Sequence, residues 1–82
     1  MSVELSGEAA KIWEEIRYIE LDLFGLPEQT VEKHCKPVPV GQNELYVTIA
    51  VQAAYAALDV AVSKNFDIEP VGKWYILKRK AK

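Results

Sequence analysis

The chain has 82 residues, of which 50% are hydrophobic and 27% are charged, and its formal net charge is −2. This composition excludes a disordered chain, a collagen-like repeat and a disulfide scaffold, and the length allows one domain with a modest core. Cys35 is the only cysteine, so no intrachain disulfide can form. We therefore expect a single cytoplasmic domain over residues 1–82.

Charge is distributed unevenly along the chain. Residues 1–32 hold eight acidic and two basic side chains, hence a net charge of −6, whereas residues 73–82 hold five basic side chains and no acidic one. This asymmetry is typical of proteins that bind nucleic acid or a membrane surface, and equally of proteins whose two ends attract each other on folding or assembly. The N-terminal residues lack the basic and apolar regions of a secretory signal.

The first predicted element is a helix over about residues 7–24. Ser6 can cap its N-terminus, and apolar residues recur every three or four positions, which is the spacing of an amphipathic helix. Gly25 and Pro27 are the residue types that commonly follow a helix C-terminus. We expect this helix to end just before Gly25.

Residues 28–36 are open to two interpretations. A strand over residues 30–36 fits their threonine, valine and cysteine content and the rigid, extended Pro37-Val38-Pro39 sequence that follows. The competing interpretation is a short helix, with Pro27 at its first position and basic residues near its end. We prefer the strand.

The stretch from Asn43 to Lys64 predicts one long helix, over about residues 44–64, on which the rest of the chain packs. Apolar residues cover well over half of its circumference, and its alanines form a shallow trough that lets a second helix approach closely. In such a helix the polar residues share one narrow strip, which contains Thr48, Gln52, Asp59 and Ser63. Because Asp59 interrupts the apolar stretch, we expect a buried helix rather than a membrane span.

The C-terminal residues predict a β-hairpin with strands 66–69 and 73–79. Pro70-Val71-Gly72 fits a three-residue loop whose glycine takes the left-handed conformation. In the resulting register Ile68 faces Trp74, and one face of the hairpin is apolar. The chain is then α+β in the order α-β-α-β-β, with two helices packed on a small antiparallel sheet.

A winged-helix-like arrangement is the alternative. If residues 27–36 are helical, three helices precede the hairpin, which is similar to a winged-helix module in the order of its elements. The third helix of such a module reads DNA. Here the exposed strip of that helix holds no lysine or arginine and the protein is acidic overall, so this arrangement is not preferred.

Few residues could carry catalysis. His34 and Cys35 are neighbours, so in a strand their side chains point to opposite faces and cannot act together on a substrate or a metal ion. No second histidine or cysteine completes a zinc site, and the sequence has no phosphate loop, dinucleotide fingerprint or nucleophile elbow. We expect no catalytic residue, no metal and no cofactor.

Two segments are candidates for binding. The C-terminal segment mixes cations and aromatic rings as single-stranded nucleic-acid-binding segments do, and its candidate residues are Lys73, Tyr75, Lys78, Arg79 and Lys80. The polar strip of the central helix is a possible ligand groove, with Thr48, Gln52 and Asp59 as its candidate residues.

Our main expectation rests on the apolar residues that cover well over half of the circumference of the predicted helix over residues 44–64. One small domain cannot bury so much apolar surface, so we expect a non-enzymatic domain that forms a homodimer or docks on a protein partner. The alternative is a nucleic-acid-binding module that uses the basic and aromatic C-terminal hairpin. We do not expect a membrane partner.

Overall fold

The structure is a computed structural model and describes residues 4–80. Its helices are α1 (Gly7–Ile16), α2 (Val31–His34) and α3 (Gln52–Val62), and its strands are β1 (Cys35–Val38), β2 (Leu45–Ile49), β3 (Phe66–Val71) and β4 (Trp74–Arg79). The four strands form one antiparallel sheet in the order β1-β2-β4-β3. The α+β fold expected from the sequence is confirmed, whereas the bounds of several elements differ.

The hydrophobic core lies between the sheet and the two longer helices. Side chains alternate along the central strands, so Leu45, Val47 and Leu77 point to one face, where each is 0% exposed. The helices cover this face with apolar residues that include Ile12, Ile16, Leu58 and Val62. Burying each large side chain stabilises the fold by roughly 1.5–3 kcal/mol relative to leaving it in water.

The first helix ends at Ile16, well before the predicted end at residue 24. From Ile19 to Asp22 the chain is not helical, and Glu20 forms an isolated bridge with Thr30; from Ile19 to Phe24 buried or half-buried residues alternate with exposed ones. The backbone N–H of Leu21 donates a hydrogen bond to the carbonyl of Gln29. This bond holds the segment beside residues 29–30. Its apolar residues fit both helical and alternating spacing, so this pairing selects the extended form.

The predicted helix over residues 44–64 is two elements. Residues 45–49 form β2, between β1 and β4, and only residues 52–62 are helical. The sequence Leu-Tyr-Val-Thr-Ile is rich in the β-branched and aromatic side chains that favour a strand, and its burial alternates accordingly. The winged-helix alternative is therefore wrong, because its third helix would need these residues.

Residues 28–36 combine the two interpretations. Residues 31–34 form one helical turn, so the preferred strand over residues 30–36 is wrong for that part, and the chain becomes a strand only at Cys35. β1 then continues through Pro37 to Val38. Proline is tolerated there because β1 is an edge strand, where one backbone N–H is not needed for sheet pairing.

The C-terminal hairpin is present, but its loop has two residues, Gly72 and Lys73, instead of three. Gly72 has a φ of 61° and Lys73 does not have a positive φ, which is the pattern of a type II′ turn. The shorter loop changes the register, so that Ile68 pairs with Leu77 and not, as predicted, with Trp74. Trp74 consequently lies on the face of the sheet opposite the core.

That second face is left uncovered by α1 and α3, which pack on the core face. We call it the open sheet face; its residues include Lys36, Val38, Tyr46, Thr48, Trp74 and Ile76. The rings of Tyr46 and Trp74 meet edge to face, with 5.7 Å between their centroids. An antiparallel sheet commonly has one face on the core and one toward solvent; here Ile76, at the centre of the second face, is nevertheless only 6% exposed.

Candidate functional site

A groove runs along the surface between α3 and residues 20–24, which come earlier in the chain. Its volume is about 510 Å³, which is within the range of roughly 300–1,000 Å³ found for ligand pockets. We call it the α3 groove; its lining residues are Glu20, Asp22, Leu23, Phe24, Ala53, Ala56, Ala57, Val60 and Ala61. Most of this lining is apolar, so the groove is suited to an apolar partner surface.

The floor of the α3 groove consists of alanines. Ala54, Leu58 and Val62 recur every four residues and form the buried side of α3, while Ala53 and Ala57, on an adjacent side, line the groove. Alanine has the highest helix propensity, so these residues stabilise α3 and keep its surface shallow. Of the alanine trough expected from the sequence, Ala53, Ala57 and Ala61 line the groove, whereas Ala50 lies outside α3 and Ala54 is buried.

Two exposed apolar side chains border the groove. Phe24 is 86% exposed and Val60 is 78% exposed. Phe24 also has a φ of 57°, a left-handed conformation that costs a residue other than glycine roughly 1–2 kcal/mol. The phenyl ring of Phe24 is thus exposed to water, and its backbone conformation is unfavourable. Exposed apolar clusters of this kind commonly mark interaction sites.

The rim of the groove is acidic. Glu20 and Asp22 line it, and both are exposed because they alternate with the buried residues Leu21 and Leu23. The backbone of Glu20 forms an isolated bridge with Thr30, which holds the rim in place. A partner surface therefore meets an apolar floor first and carboxylates only at the margin.

The residues of the predicted ligand strip are not brought together. Thr48 belongs to β2 and lies on the open sheet face, whereas Gln52 begins α3 and Asp59 is exposed farther along it. Helical spacing does not relate Thr48 to the other two, because the chain is extended up to residue 49. The predicted ligand groove of the central helix is therefore not formed.

The C-terminal candidates are divided between the two faces of the sheet. Tyr75 lies on the core face, where its ring is 4.9 Å from that of Tyr55 on α3. Arg79 forms ion pairs with Glu8 and Glu15 of α1. The attraction expected between the acidic and basic ends is thus made by Arg79 within one chain.

The remaining C-terminal cations have different surroundings. Lys78 Nζ lies 3.3 Å from Glu69 and 3.5 Å from Glu44, and its hydrogen bond to Glu69 raises the pKa of the ammonium group. Lys73 Nζ lies 5.4 Å from the centroid of the Trp74 ring, and Lys80 is exposed. These side chains do not form one basic patch.

His34 and Cys35 do not form a reactive pair. Cys35 is 2% exposed, and burial raises the pKa of its thiol to about 11. His34 Nε2 lies 2.6 Å from Oε1 of Gln29, with which it shares a hydrogen bond. Within residues 4–80 there is no group of three histidine, cysteine or acidic side chains that could hold a metal ion.

The sequence interpretation missed Phe24, because it placed this residue inside a helix over residues 7–24. A signal was present: residues 19–24 read Ile-Glu-Leu-Asp-Leu-Phe, an alternation that puts the phenylalanine on the side of the exposed carboxylates. Gly25, with a φ of 73°, follows it in the turn.

Comparison of the chain with protein-family models, curated proteins and solved structures finds no match. Of the helices in residues 4–80, none combines the length and the hydrophobicity required to cross a bilayer. Function must therefore be argued from the geometry and chemistry of the surface itself.

Proposed function

We propose that this chain is a small non-enzymatic domain that forms a homodimer through the α3 groove. The observation that supports this function is the presence, on one surface, of a protruding apolar side chain beside an open apolar groove. Phe24 is the protruding side chain, and the alanines of α3 provide the groove. The proposal keeps the cytoplasmic location that the single, buried Cys35 suggests.

A second copy of the chain is the partner that this surface fits. In a twofold dimer both subunits use the same patch, so the patch must be complementary to itself. A phenyl ring next to a groove meets this requirement, because each Phe24 enters the groove of the other subunit. Removing one such ring from water stabilises the assembly by roughly 1.5–3 kcal/mol, and the dimer removes two.

The alanines and the acidic rim shape this dimer further. Small side chains let two α3 helices approach at the short end of the usual spacing of about 8–10 Å. Glu20 and Asp22 of the two subunits then lie near the margin of one interface, where like charges repel each other. Added salt screens this repulsion, with a screening length of about 4–5 Å at 0.5 M salt, and does not weaken the apolar contact. The affinity of the dimer at 0.5 M salt should therefore be at least as high as at low salt.

The experiment is a measurement of mass by light scattering behind size exclusion at about 10 µM protein, where mass action sets the dimer fraction. We expect about twice the chain mass of 9.2 kDa. Phe24→Asp and Val60→Asp should each give a monomer. Val40→Asp is the matched control, because Val40 is 53% exposed and lies outside the groove.

Phe24→Asn separates loss of the interface from loss of the fold. Asparagine tolerates the left-handed conformation better than phenylalanine does, so this variant should be a monomer that is folded at least as stably as the wild-type subunit. A wild-type chain that is monomeric at every concentration would contradict the proposal. A complex with a different protein that needs Phe24, without self-association, would assign the same groove to a heterologous partner and also contradict the homodimer.

A further inference from the structure

One end of the open sheet face carries a row of polar and aromatic side chains. Lys36 of β1 pairs with Thr48 of β2. Because Val47 of β2 pairs with Tyr75 of β4, Trp74 of β4 lies beside Thr48. Neighbouring strands lie about 4.8 Å apart, so this row spans roughly 10 Å across three strands. We call it the Trp74 row; it consists of Lys36, Thr48 and Trp74.

The rest of the open sheet face is occupied by contacts within the chain. The backbone at Gly41 lies against the ring of Tyr46, since a Cβ atom added at Gly41 would be 2.6 Å from Cε1 of that ring. Farther along the same face, Lys78 is held between two glutamates. The Trp74 row lies outside these contacts, and Lys36 in it is exposed while Thr48 and Trp74 are half-buried.

The charges around the Trp74 row favour an anionic partner. Neither Lys36 nor Lys73 forms a salt bridge within residues 4–80. Of the carboxylates on the neighbouring part of the face, Glu44 and Glu69 are engaged with Lys78. Asp67, opposite Lys78 at the end of β3 away from the Trp74 row, is exposed and forms no salt bridge within residues 4–80. The half-buried indole of Trp74 therefore has the ammonium group of Lys73 over its ring, and Lys36 stands in the same row two strands away.

We propose that the Trp74 row, together with Lys73, binds a short stretch of single-stranded nucleic acid. A base stacks on the indole of Trp74, and the phosphates on either side of it contact Lys36 and Lys73. The hydroxyl of Thr48, between the lysine and the indole, offers a hydrogen bond to the phosphate or the base edge. Stacking on a tryptophan tolerates every base, so binding has little sequence preference.

Lys73 changes its contact on binding. In the free protein its ammonium group lies over the Trp74 ring, and an exposed cation–π contact of this kind is weaker than the stacking of a base. The base therefore takes the position over the ring, and the lysine moves to the adjacent phosphate. This site lies on the side of the sheet opposite α3, so it does not depend on the proposed dimer.

Fluorescence anisotropy of labelled ten-nucleotide oligo(dT) and oligo(rU), at about 50 mM salt, tests the site. We expect saturable binding at micromolar protein, with log K falling against log salt with a slope of about −1.4, as two phosphate contacts require. Trp74→Leu should weaken binding at least fivefold, whereas Trp74→Phe, which keeps an aromatic face, should retain part of it.

Four lysine variants localise the contact. Lys36→Gln and Lys73→Gln should each weaken binding, while Lys11→Gln on α1 and Lys80→Gln after β4 remove the same charge elsewhere and should leave it unchanged. Circular dichroism confirms that each variant is folded. Absence of binding up to about 100 µM protein, equal losses in all four variants, or a loss confined to Lys80→Gln would each overturn the site.

Discussion

Arg79, the last residue of β4, donates hydrogen bonds from its guanidinium group to both carboxylate oxygens of Glu15. Glu15 lies on α1, 64 residues earlier in the chain. The same guanidinium also contacts Glu8, two turns nearer the start of α1. A two-pronged contact of this kind fixes orientation as well as distance. Arg79 therefore fixes the end of the sheet against the first helix, and it joins the basic end of the chain to the acidic one.

This contact predicts that part of the stability depends on pH. Hydrogen bonding to Arg79 holds the pKa of Glu15 below its ordinary value of 4.5, so folding favours the carboxylate form. The stabilisation is therefore fully present above about pH 4.5 and is lost as the pH falls through the lowered pKa. The difference in unfolding free energy between wild type and Arg79→Gln should shrink over this acidic range, as measured by urea titration.

The control for that experiment is Arg17→Gln, which removes a different, half-buried arginine that pairs with Glu14 and Glu32. Because Glu15 is half exposed, salt should reduce the contribution of its contact with Arg79. A wild-type advantage over Arg79→Gln that stays constant down to low pH would contradict the role of Glu15.

Gly72→Ala should destabilise the fold by about 1 kcal/mol, because alanine tolerates positive φ poorly. The cost is purely conformational, since a Cβ atom at this position has no neighbour within 4 Å. For a domain of this size, that corresponds to a fall of roughly 4–8 °C in melting temperature. Lys73→Ala, in the same turn but without positive φ, should change the melting temperature little; equal shifts in both variants would rule out the type II′ turn.

The hairpin shows why a correct element can be predicted with a wrong register. β4 has four consecutive apolar residues, Trp74 to Leu77, so alternation does not say which two face the core. The length of the loop decides this, and a change of one residue in register turns every side chain to the other face. Phe66 and Ile68 point to the core as predicted, but they are opposed by Arg79 and Leu77, respectively, rather than by Ile76 and Trp74.

Residues 44–64 show how strand pairing between distant residues limits what can be predicted from the sequence. Residues 45–49 alternate in burial, yet within a longer apolar run their spacing also fits a helix. What selects the strand is pairing with β1 on one side and β4 on the other, and those partners are distant in sequence. The α3 groove has the same origin, because residues 20–24 and 53–61 meet only in the folded chain. Part of its alanine floor was predicted, whereas the exposed Phe24 was missed although the alternation of residues 19–24 indicates it.

Cys35 should be chemically silent in the folded protein. Its side chain points into the core, and with a pKa of about 11 little of the thiol is ionised near neutral pH. Because the thiolate is the reactive form, alkylation by iodoacetamide at pH 8 should be at least roughly tenfold slower than for the same chain in urea. A native rate equal to the rate in urea would show that the β1 edge opens readily.

The central position of β2 can be tested through Leu45 and Leu77, which lie directly opposite each other and are both 0% exposed. Replacing either leucine by alanine should cost about 2–5 kcal/mol. Because the two side chains share one packing site, the double variant should lose less than the sum of the single losses, by about 0.5–3 kcal/mol. Urea unfolding of the four proteins of this cycle measures the difference.

The matched control pairs Leu45→Ala with Val71→Ala. Val71 is 45% exposed, lies at the far end of β3 and points to the open sheet face. These two losses should add to within about 0.5 kcal/mol, as distant sites do. If residues 45–49 were the first turns of a helix, Leu45 would have no fixed partner on β4. Additive losses for Leu45 and Leu77 would therefore overturn the central strand, and a coupling found for that pair but not for Leu45 and Val71 would establish it.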